Sequence, residues 1–387
     1  MSPVSRTRKP KNNKKKAARQ PDKARPGWFD EAIPAALDGA SVLMAANGPR
    51  ELEQATAELL GAELAYRLEH EAGGLAFHEF AEDVASAATA RIKKAAADQD
   101  DTWEAPLRLL HGLNALGTPT IEAAAKTGIT RAAKWLRRVP AQAPEWLDQR
   151  VVATGEVWRL RDVYGHRVAV IAGFAYPKRT TSEVFLFDLD LSGIPAFAGA
   201  GVYDGVEQAA DAWRKTAGDA ELVRVEDSAE LEELAQFTYD ERTVVGDESR
   251  NLMDNLFRAR RRVQDLDVVV KLPQRQWLYE FNTATMADPF MKWHEDTYGS
   301  VPFLEAVDGL AEDWMEGHLP ETWFGVSPGR VSVILGLMTD WVDEDQATIE
   351  AKLLLPKWIR WLGENSKLPE DLIGPMVALA EKGYVPE

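Results

Sequence analysis

The chain has 387 residues, of which 45% are hydrophobic and 28% are charged, a composition typical of a globular protein with two or three domains. It contains no cysteine, which excludes disulfides, thiolate metal sites, iron–sulfur clusters and cysteine nucleophiles. No apolar run is long enough to span a bilayer, and the basic N-terminus lacks the apolar segment of a secretory signal. The sequence therefore predicts a cytoplasmic protein that does not enter a membrane.

The charge is divided between two parts of opposite sign. Residues 1–26 carry +9, from ten basic residues and Asp22, and subtracting this from the net charge of −17 leaves −26 for the rest of the chain. The tail has almost no apolar side chain to bury, so it is predicted to be disordered. One interpretation is an arm that binds nucleic-acid phosphates without sequence preference, and the alternative is a tail that only keeps the protein in solution. The candidate phosphate-binding residues of the arm are Arg6, Arg8, Lys9, Lys11, Lys14, Lys15, Lys16 and Arg19.

An alanine-rich region, residues 27–139, follows the tail and is predicted to form a helical domain. Apolar residues recur at helical spacing, and Gly73-Gly74 and Gly117-Thr118-Pro119 separate neighbouring helices. Short connections of this kind favour an antiparallel helical bundle. The predicted helices are Pro34–Ala46, Glu51–Glu71, Leu75–Ala97, Ala105–Leu116 and Thr120–Val139.

The last of these helices has one apolar and one basic side. The basic side carries Lys126, Arg131, Lys134, Arg137 and Arg138. Lys126 and Arg137 are candidates for contact with nucleic acid. The same text resembles a helix-turn-helix with its turn at Gly128, but Lys134 occupies a position where that motif requires a buried aliphatic residue. A single amphipathic helix accounts for the same residues.

From residue 150 to residue 227 the pattern changes to period-two alternation, broken by Gly and Pro, which predicts a small α+β domain. Tyr164-Gly165 and Ser192-Gly193 are placed to connect hairpins, so we expect antiparallel strands. A helix at Gly205–Ala217 is predicted to cover one face of this sheet. The predicted strands are Val152–Arg161, Arg167–Tyr176, Glu183–Leu191, Ala196–Tyr203 and Glu221–Glu226.

Asp188 and Asp190 are the weak candidates for a metal site. They lie two positions apart on a predicted strand, so both carboxylates point to one face, and such pairs hold Mg²⁺ in phosphoryl-transfer enzymes. Those enzymes place the strand in a parallel sheet with a crossover helix after it, whereas Ser192-Gly193 leads directly into another strand. A strand with one buried and one solvated face accounts for the same alternation. No metal ligand is therefore assigned, and no cofactor is predicted.

Residues 228–387 are predicted to form a second helical domain, with one strand at Asp267–Pro273. Its helix at Ser249–Leu266 has an apolar face and, roughly opposite, a set of arginines that includes Arg258 and Arg261. These two are further candidates for contact with nucleic acid, and the alternative is that they pair with the protein's own surplus of carboxylates. The remaining predicted helices are Ala229–Phe237, Leu304–Glu316, Pro328–Trp341, Ile349–Asn365 and Pro369–Lys382.

No motif in the chain assigns a catalytic residue. The six histidines are scattered, without an HExxH or His-x-His pattern, and no serine lies in GxSxG. The common zinc-hydrolase and α/β-hydrolase signatures are therefore absent, which favours a non-enzymatic protein.

Several segments in a set order resemble one family. The chain reads LRLLHGLNALGTP, then APEW, then GEVWRLRDVYGHRVAVIAGFAYP and VFLFDLDLSG, followed by an arginine-rich helix and SPGRVSVILGLMTDWV. Over about residues 50–380 this order resembles a family of uncharacterised actinobacterial proteins. The resemblance implies no activity, cofactor or site residue.

The sequence thus predicts a mainly helical α+β protein. An N-terminal helical bundle, a central antiparallel sheet with a covering helix, and a C-terminal helical region follow one another along the chain. The first hypothesis about function is binding of nucleic acid or ribonucleoprotein through the basic arm. The second is metal-dependent phosphoester hydrolysis at Asp188 and Asp190, and the third is a scaffold that docks a protein partner.

Overall fold

The computed structural model of the protein describes residues 27–70, 77–137, 143–176, 182–237, 250–274, 280–339 and 346–383. Within these ranges it contains thirteen α-helices and a single five-stranded antiparallel sheet, which confirms the mainly helical α+β class. None of the helices there is long and apolar enough to cross a membrane. The basic tail, residues 1–26, lies outside the described residues, so its predicted disorder stays a prediction.

In the described residues, five helices precede the sheet, one follows its fourth strand, and seven follow its fifth. The helices are α1 (Phe29–Gly39), α2 (Pro49–His70), α3 (Phe77–Asp98), α4 (Glu104–Leu116), α5 (Pro119–Leu136), α6 (Val206–Ala217), α7 (Glu232–Ala235), α8 (Arg250–Val270), α9 (Ala284–Tyr298), α10 (Leu304–Met315), α11 (Pro328–Met338), α12 (Gln346–Asn365) and α13 (Glu370–Gly383). The strands are β1 (Val152–Arg161), β2 (Arg167–Ala175), β3 (Ser182–Asp190), β4 (Ala196–Tyr203) and β5 (Val223–Arg224).

The sheet has the strand order β4-β3-β2-β1-β5, and every neighbouring pair is antiparallel. Both predicted hairpins are present, β1–β2 through Tyr164-Gly165 and β3–β4 through Ser192-Gly193. Gly165 has a φ of 77°, a left-handed conformation that glycine adopts without steric cost. The five strands predicted between residues 150 and 227 are therefore confirmed, although β5 is only two residues long.

Both faces of the central strands are covered, so the prediction of a solvated face on β3 is wrong. Residues 183–189 of β3 are all buried. One face packs against the core that includes α8, and the other lies beneath α6, whose Ala209, Ala210 and Trp213 complete a separate apolar cluster. The alternation in β3 therefore separates two kinds of buried environment.

Helix α8 contradicts the predicted strand at Asp267–Pro273, because residues 267–270 form its last turn. Three successive valines favour a strand locally, but the Asp267 carboxylate accepts a hydrogen bond from the Leu272 backbone N–H at 2.9 Å. Lys271 then turns the chain with a φ of 61°. Side-chain capping of this kind ends the helix after the valines.

The described side chains pack into three apolar clusters. The largest joins α1–α5 to one face of the sheet and to α8, the second lies within α9–α13, and the third lies under α6. Helix α9 was not predicted, and it contains Pro289, a residue that disfavours a helix interior. Trp314, Trp358 and Trp361 lie in the second cluster. The predicted domain boundaries stay a prediction.

Candidate functional site

Protein groups already occupy the carboxylates of Asp188 and Asp190. Arg167 donates to Asp188 twice, from Nε to Oδ1 at 2.9 Å and from Nη2 to Oδ2 at 2.7 Å. The indole Nε1 of Trp213 donates to the same Oδ1 at 2.9 Å, and Asp190 Oδ1 accepts from the backbone N–H of Ser192 at 2.8 Å. Asp188 thereby joins β2, β3 and α6. The described residues contain no group of three or more potential metal ligands, so this pair gives no support to phosphoester hydrolysis.

A serine–histidine contact joins the sheet to α11. Ser327 Oγ lies 2.8 Å from Nδ1 of His166, and both side chains are buried. Such a contact is what a serine nucleophile and its general base require. We call this group of residues the histidine junction; it comprises His166, Ser192, His318, Ser327 and Arg330, all buried.

Arg330 determines what the histidine junction can do. Its Nη1 lies 3.3 Å from Nε2 of His166, and a guanidinium has no lone pair with which to accept. Nε2 is therefore the acceptor, and Nδ1 carries the proton and donates to Ser327. Burial, together with the charge of Arg330, lowers the pKa of His166 to about 3. His166 cannot remove a proton from Ser327, so the junction is a structural link and not a nucleophile.

Two glycines permit the junction to close. A Cβ at position 325 would lie 2.8 Å from His166 Nε2, and one at position 329 would lie 2.7 Å from Ser192 Oγ. The Ser192 and Ser327 hydroxyls meet at 3.3 Å, which ties the β3–β4 hairpin to α11. No sequence motif reveals this contact, because 161 residues separate His166 from Ser327.

Glu233 is a buried carboxyl in α7 that faces β1. It is 0% exposed, and its Oε1 lies 2.8 Å from Nε of Arg159 in an ionic contact without hydrogen-bond geometry. Arg159 also approaches the partly exposed Glu321 at 3.7 Å. Burial, only partly opposed by Arg159, raises the pKa of Glu233 to about 7. This carboxyl links α7 to β1 and changes protonation near neutral pH.

The free energy of unfolding of the parent protein is expected to fall as the pH rises, because Glu233 becomes ionised. The Glu233→Gln variant is expected to lack this fall. The folded-state pKa of about 7 exceeds the ordinary value of 4.5, so Glu233 stabilises the fold fully below pH 4.5 and loses this contribution as the pH rises through 7. The difference corresponds to about 3 kcal/mol. Urea unfolding at several pH values between 4.5 and 8 measures it, and Glu233→Gln is expected to be the more stable form at pH 8. Lower stability of the variant at pH 8 would contradict this sign.

The arginines of α8 lie mostly inside the protein. Arg262 is 0% exposed, and its Nη2 donates to Glu53 at 2.5 Å and to Glu183 at 3.1 Å. Arg258 is 2% exposed, which removes it from any surface that a nucleic acid could reach. Arg261 pairs with Glu122 at 2.8 Å and with Asp265 at 2.9 Å. The interpretation that these arginines pair with the protein's own carboxylates thus holds for Arg261 and Arg262.

The exposed side of α5 is positively charged. Helix α5 is continuous, so the helix-turn-helix interpretation is wrong, and its exposed side chains include no acid. We call this surface the cationic face; it is formed by Lys126, Arg131, Lys134 and, directly after the helix, Arg137. At 100° and 1.5 Å per residue these four cations fall within an arc of about 140° and extend over about 16 Å. Lys126 and Arg137 are thus where the sequence placed them, on one face with Arg131 and Lys134.

The acid nearest to this face, Glu122, pairs with only one of its four cations, Lys126. Glu122, in the first turn of α5, is contacted by three cations: Lys126, Arg150 and Arg261. Although burial opposes the shift, hydrogen bonds from these cations lower the pKa of Glu122 to about 2. Arg131, Lys134 and Arg137 have no ion-pair partner among the described residues. Within the described part of the chain, three cations of the face are therefore not neutralised by an ion pair and can contact an anionic ligand.

Comparison with known proteins adds no relative from which a site could be transferred. No family model matches the chain, and no curated protein or solved structure matches it. Membership of the actinobacterial family therefore stays a prediction. The cationic face is the surface whose geometry supports a function best.

Proposed function

We propose that the protein binds nucleic acid through the cationic face of α5, and that the basic residues of the N-terminal arm add electrostatic affinity. The observation that carries this proposal is the absence of an exposed acid on α5 in a chain whose net charge is −17. Phosphate groups are the anions that a row of lysines and arginines binds with little geometric demand. The acidic remainder of the protein repels phosphate, so binding is confined to the face and the arm.

Reversing two charges of the cationic face weakens binding. We expect Arg131→Glu/Lys134→Glu to reduce the affinity for nucleic acid about tenfold and to lower the slope of log K against log salt by about 2. Fluorescence anisotropy with labelled duplexes over a salt series measures both quantities. Both side chains are exposed, so folding is preserved, which circular dichroism checks.

Lys215→Glu/Lys292→Glu is the matched control, because it makes the same change of net charge at exposed lysines of α6 and α9. An equal loss of affinity in this control would show that only net charge matters and would contradict the proposed site. Substitution of Lys14, Lys15 and Lys16 by glutamine tests the arm separately. If that change abolishes binding while Arg131→Glu/Lys134→Glu has no effect, the arm binds alone and the proposal for α5 is wrong.

A further inference from the structure

An open hollow lies beside the cationic face, between α3 and α5. Its volume is about 470 Å³, and its lining includes Glu82, Ser86, Thr89, Thr120, Thr127 and Arg131. A hollow of about 320 Å³ over the cationic face shares Thr127 and Arg131 with it. The two hollows therefore form one continuous surface, with cations on one side and a groove rich in hydroxyl groups on the other.

The hydroxyl groups of Thr127 and Thr130 on this surface have already used their protons. Thr127 Oγ1 donates to the backbone carbonyl of Ala123, and Thr130 Oγ1 donates to that of Lys126, each at 2.8 Å. A threonine hydroxyl has one proton and two lone pairs, so the lone pairs that remain can only accept. The carboxylate of Glu82 also only accepts. Thr127, Thr130 and Glu82 thus offer acceptors, whereas the cations of the face offer donors.

This division of donors and acceptors restricts the ligand. Phosphate oxygens only accept, so they bind Arg131 and Lys134 but form no hydrogen bond with Thr127, Thr130 or Glu82. A fitting ligand must carry anionic groups next to hydroxyl donors. The ribose-phosphate backbone has both in every nucleotide, and the DNA backbone lacks the 2′-hydroxyl.

The lining also indicates how a nucleic acid would be bound. No residue that lines either hollow is aromatic, and single-stranded nucleic acid is usually bound by stacking of bases on aromatic rings. A surface with cations and hydroxyls but no rings is suited to the phosphates and 2′-hydroxyls along a duplex. We therefore expect this surface to recognise the shape and the backbone of a duplex, without preference for its base sequence.

We propose that the α3–α5 groove and the cationic face together bind double-stranded RNA, with Arg131 and Lys134 on phosphates and Thr127, Thr130 and Glu82 accepting from 2′-hydroxyls. This inference rests on the proposed function, since it names the class of nucleic acid that the same face selects. It goes further in assigning the acceptors of α3 and α5 to the discrimination of RNA from DNA.

The test compares three duplexes of one sequence and about 16 base pairs: RNA, DNA and 2′-O-methyl RNA, which lacks the hydroxyl proton. The full-length protein is expected to bind RNA about tenfold more tightly than the other two, which corresponds to two or three hydrogen bonds. Thr127→Val/Thr130→Val keeps the side-chain shape and removes the acceptors. It is expected to weaken RNA binding about fivefold and to leave DNA binding unchanged.

Thr216→Val is the control, because Thr216 Oγ1 also donates to a backbone carbonyl, that of Trp213 at 2.9 Å, but lies in α6. Equal affinity for RNA and DNA that depends on Arg131 and Lys134 would overturn this inference and leave the proposed function intact. A preference for RNA that survives Thr127→Val/Thr130→Val, or that Thr216→Val also removes, would overturn the assigned acceptors. Binding of none of the duplexes would overturn the inference and the proposed function together.

Discussion

Substituting alanine for Arg262 destabilises the folded protein by about 3–5 kcal/mol, because two buried carboxylates lose their common partner. Glu53 and Glu183 are both almost fully buried, and each accepts a hydrogen bond from Nη2 of Arg262. Against the effect of burial, these two carboxylates raise the pKa of Arg262 above its ordinary value, so the arginine remains charged. Urea unfolding monitored by tryptophan fluorescence measures the loss.

The neighbouring Arg261 supplies the matched control. Its side chain is partly exposed and pairs with Glu122 and Asp265, so Arg261→Ala is expected to cost about 1 kcal/mol or less. The quadruple variant Arg258→Met/Arg262→Met/Glu53→Gln/Glu183→Gln also neutralises the buried Arg258, which interacts with both carboxylates, and is expected to recover most of the loss. If Arg262→Ala costs no more than Arg261→Ala, the buried network does not stabilise the junction of α2, α8 and β3.

Acidification destabilises the protein through the histidine junction. Burial, together with the charge of Arg330, lowers the pKa of His166 to about 3 and that of His318 to about 4, from an ordinary value of 6.5. Their contribution to stability is fully present above pH 6.5 and is lost as the pH falls. Between pH 6.5 and pH 4 the loss is about 3 kcal/mol for each histidine, and about two protons are taken up on unfolding.

Comparison of the parent with His166→Asn/His318→Asn isolates this effect, because asparagine can replace the Nδ1–H donor of each ring and does not titrate. The double variant is expected to be less stable at pH 7 and to lack most of the parent's loss of stability between pH 6.5 and 4. His70→Asn, at an exposed position of α2, serves as the control and should retain the parent's slope. An unchanged slope in the double variant would show that other groups dominate acid unfolding.

The elements that the sequence predicts well are those defined by local chemistry. Period-two alternation and the glycines of the two hairpins placed β1–β4 within a residue or so of their observed ends, because a turn and the strands beside it are specified by neighbouring residues. Helical spacing and prolines located most helices for the same reason. The cationic face of α5 also follows from one helix and its period, so Lys126 and Arg137 could be identified in advance.

The features that the sequence does not predict depend on what packs against an element. Periodicity separates the two sides of α8 but does not show that α2 covers one side and the sheet the other, so Arg258 was placed on the surface. The prediction that the Asp188 and Asp190 carboxylates lie on one face of the strand was correct. The Trp213 side chain that contacts Asp188 comes from a later helix, however, and the strand pattern does not reveal it. The acceptors of the α3–α5 groove arise where two helices meet, which no single helix pattern describes.

The histidine junction also has a consequence for how the protein is made. His166 leaves the ribosome long before Ser327 and Arg330, since 161 residues separate the two sides of the contact. At a synthesis rate of about 5–20 residues per second, the first side waits for roughly 8–30 s. During this interval His166 lacks its contacts with Ser327 and Arg330. Its imidazole is then exposed to water and titrates with the ordinary pKa of 6.5. Closure of this junction therefore has to wait for the synthesis of α11, and it releases any proton that His166 has bound during the wait.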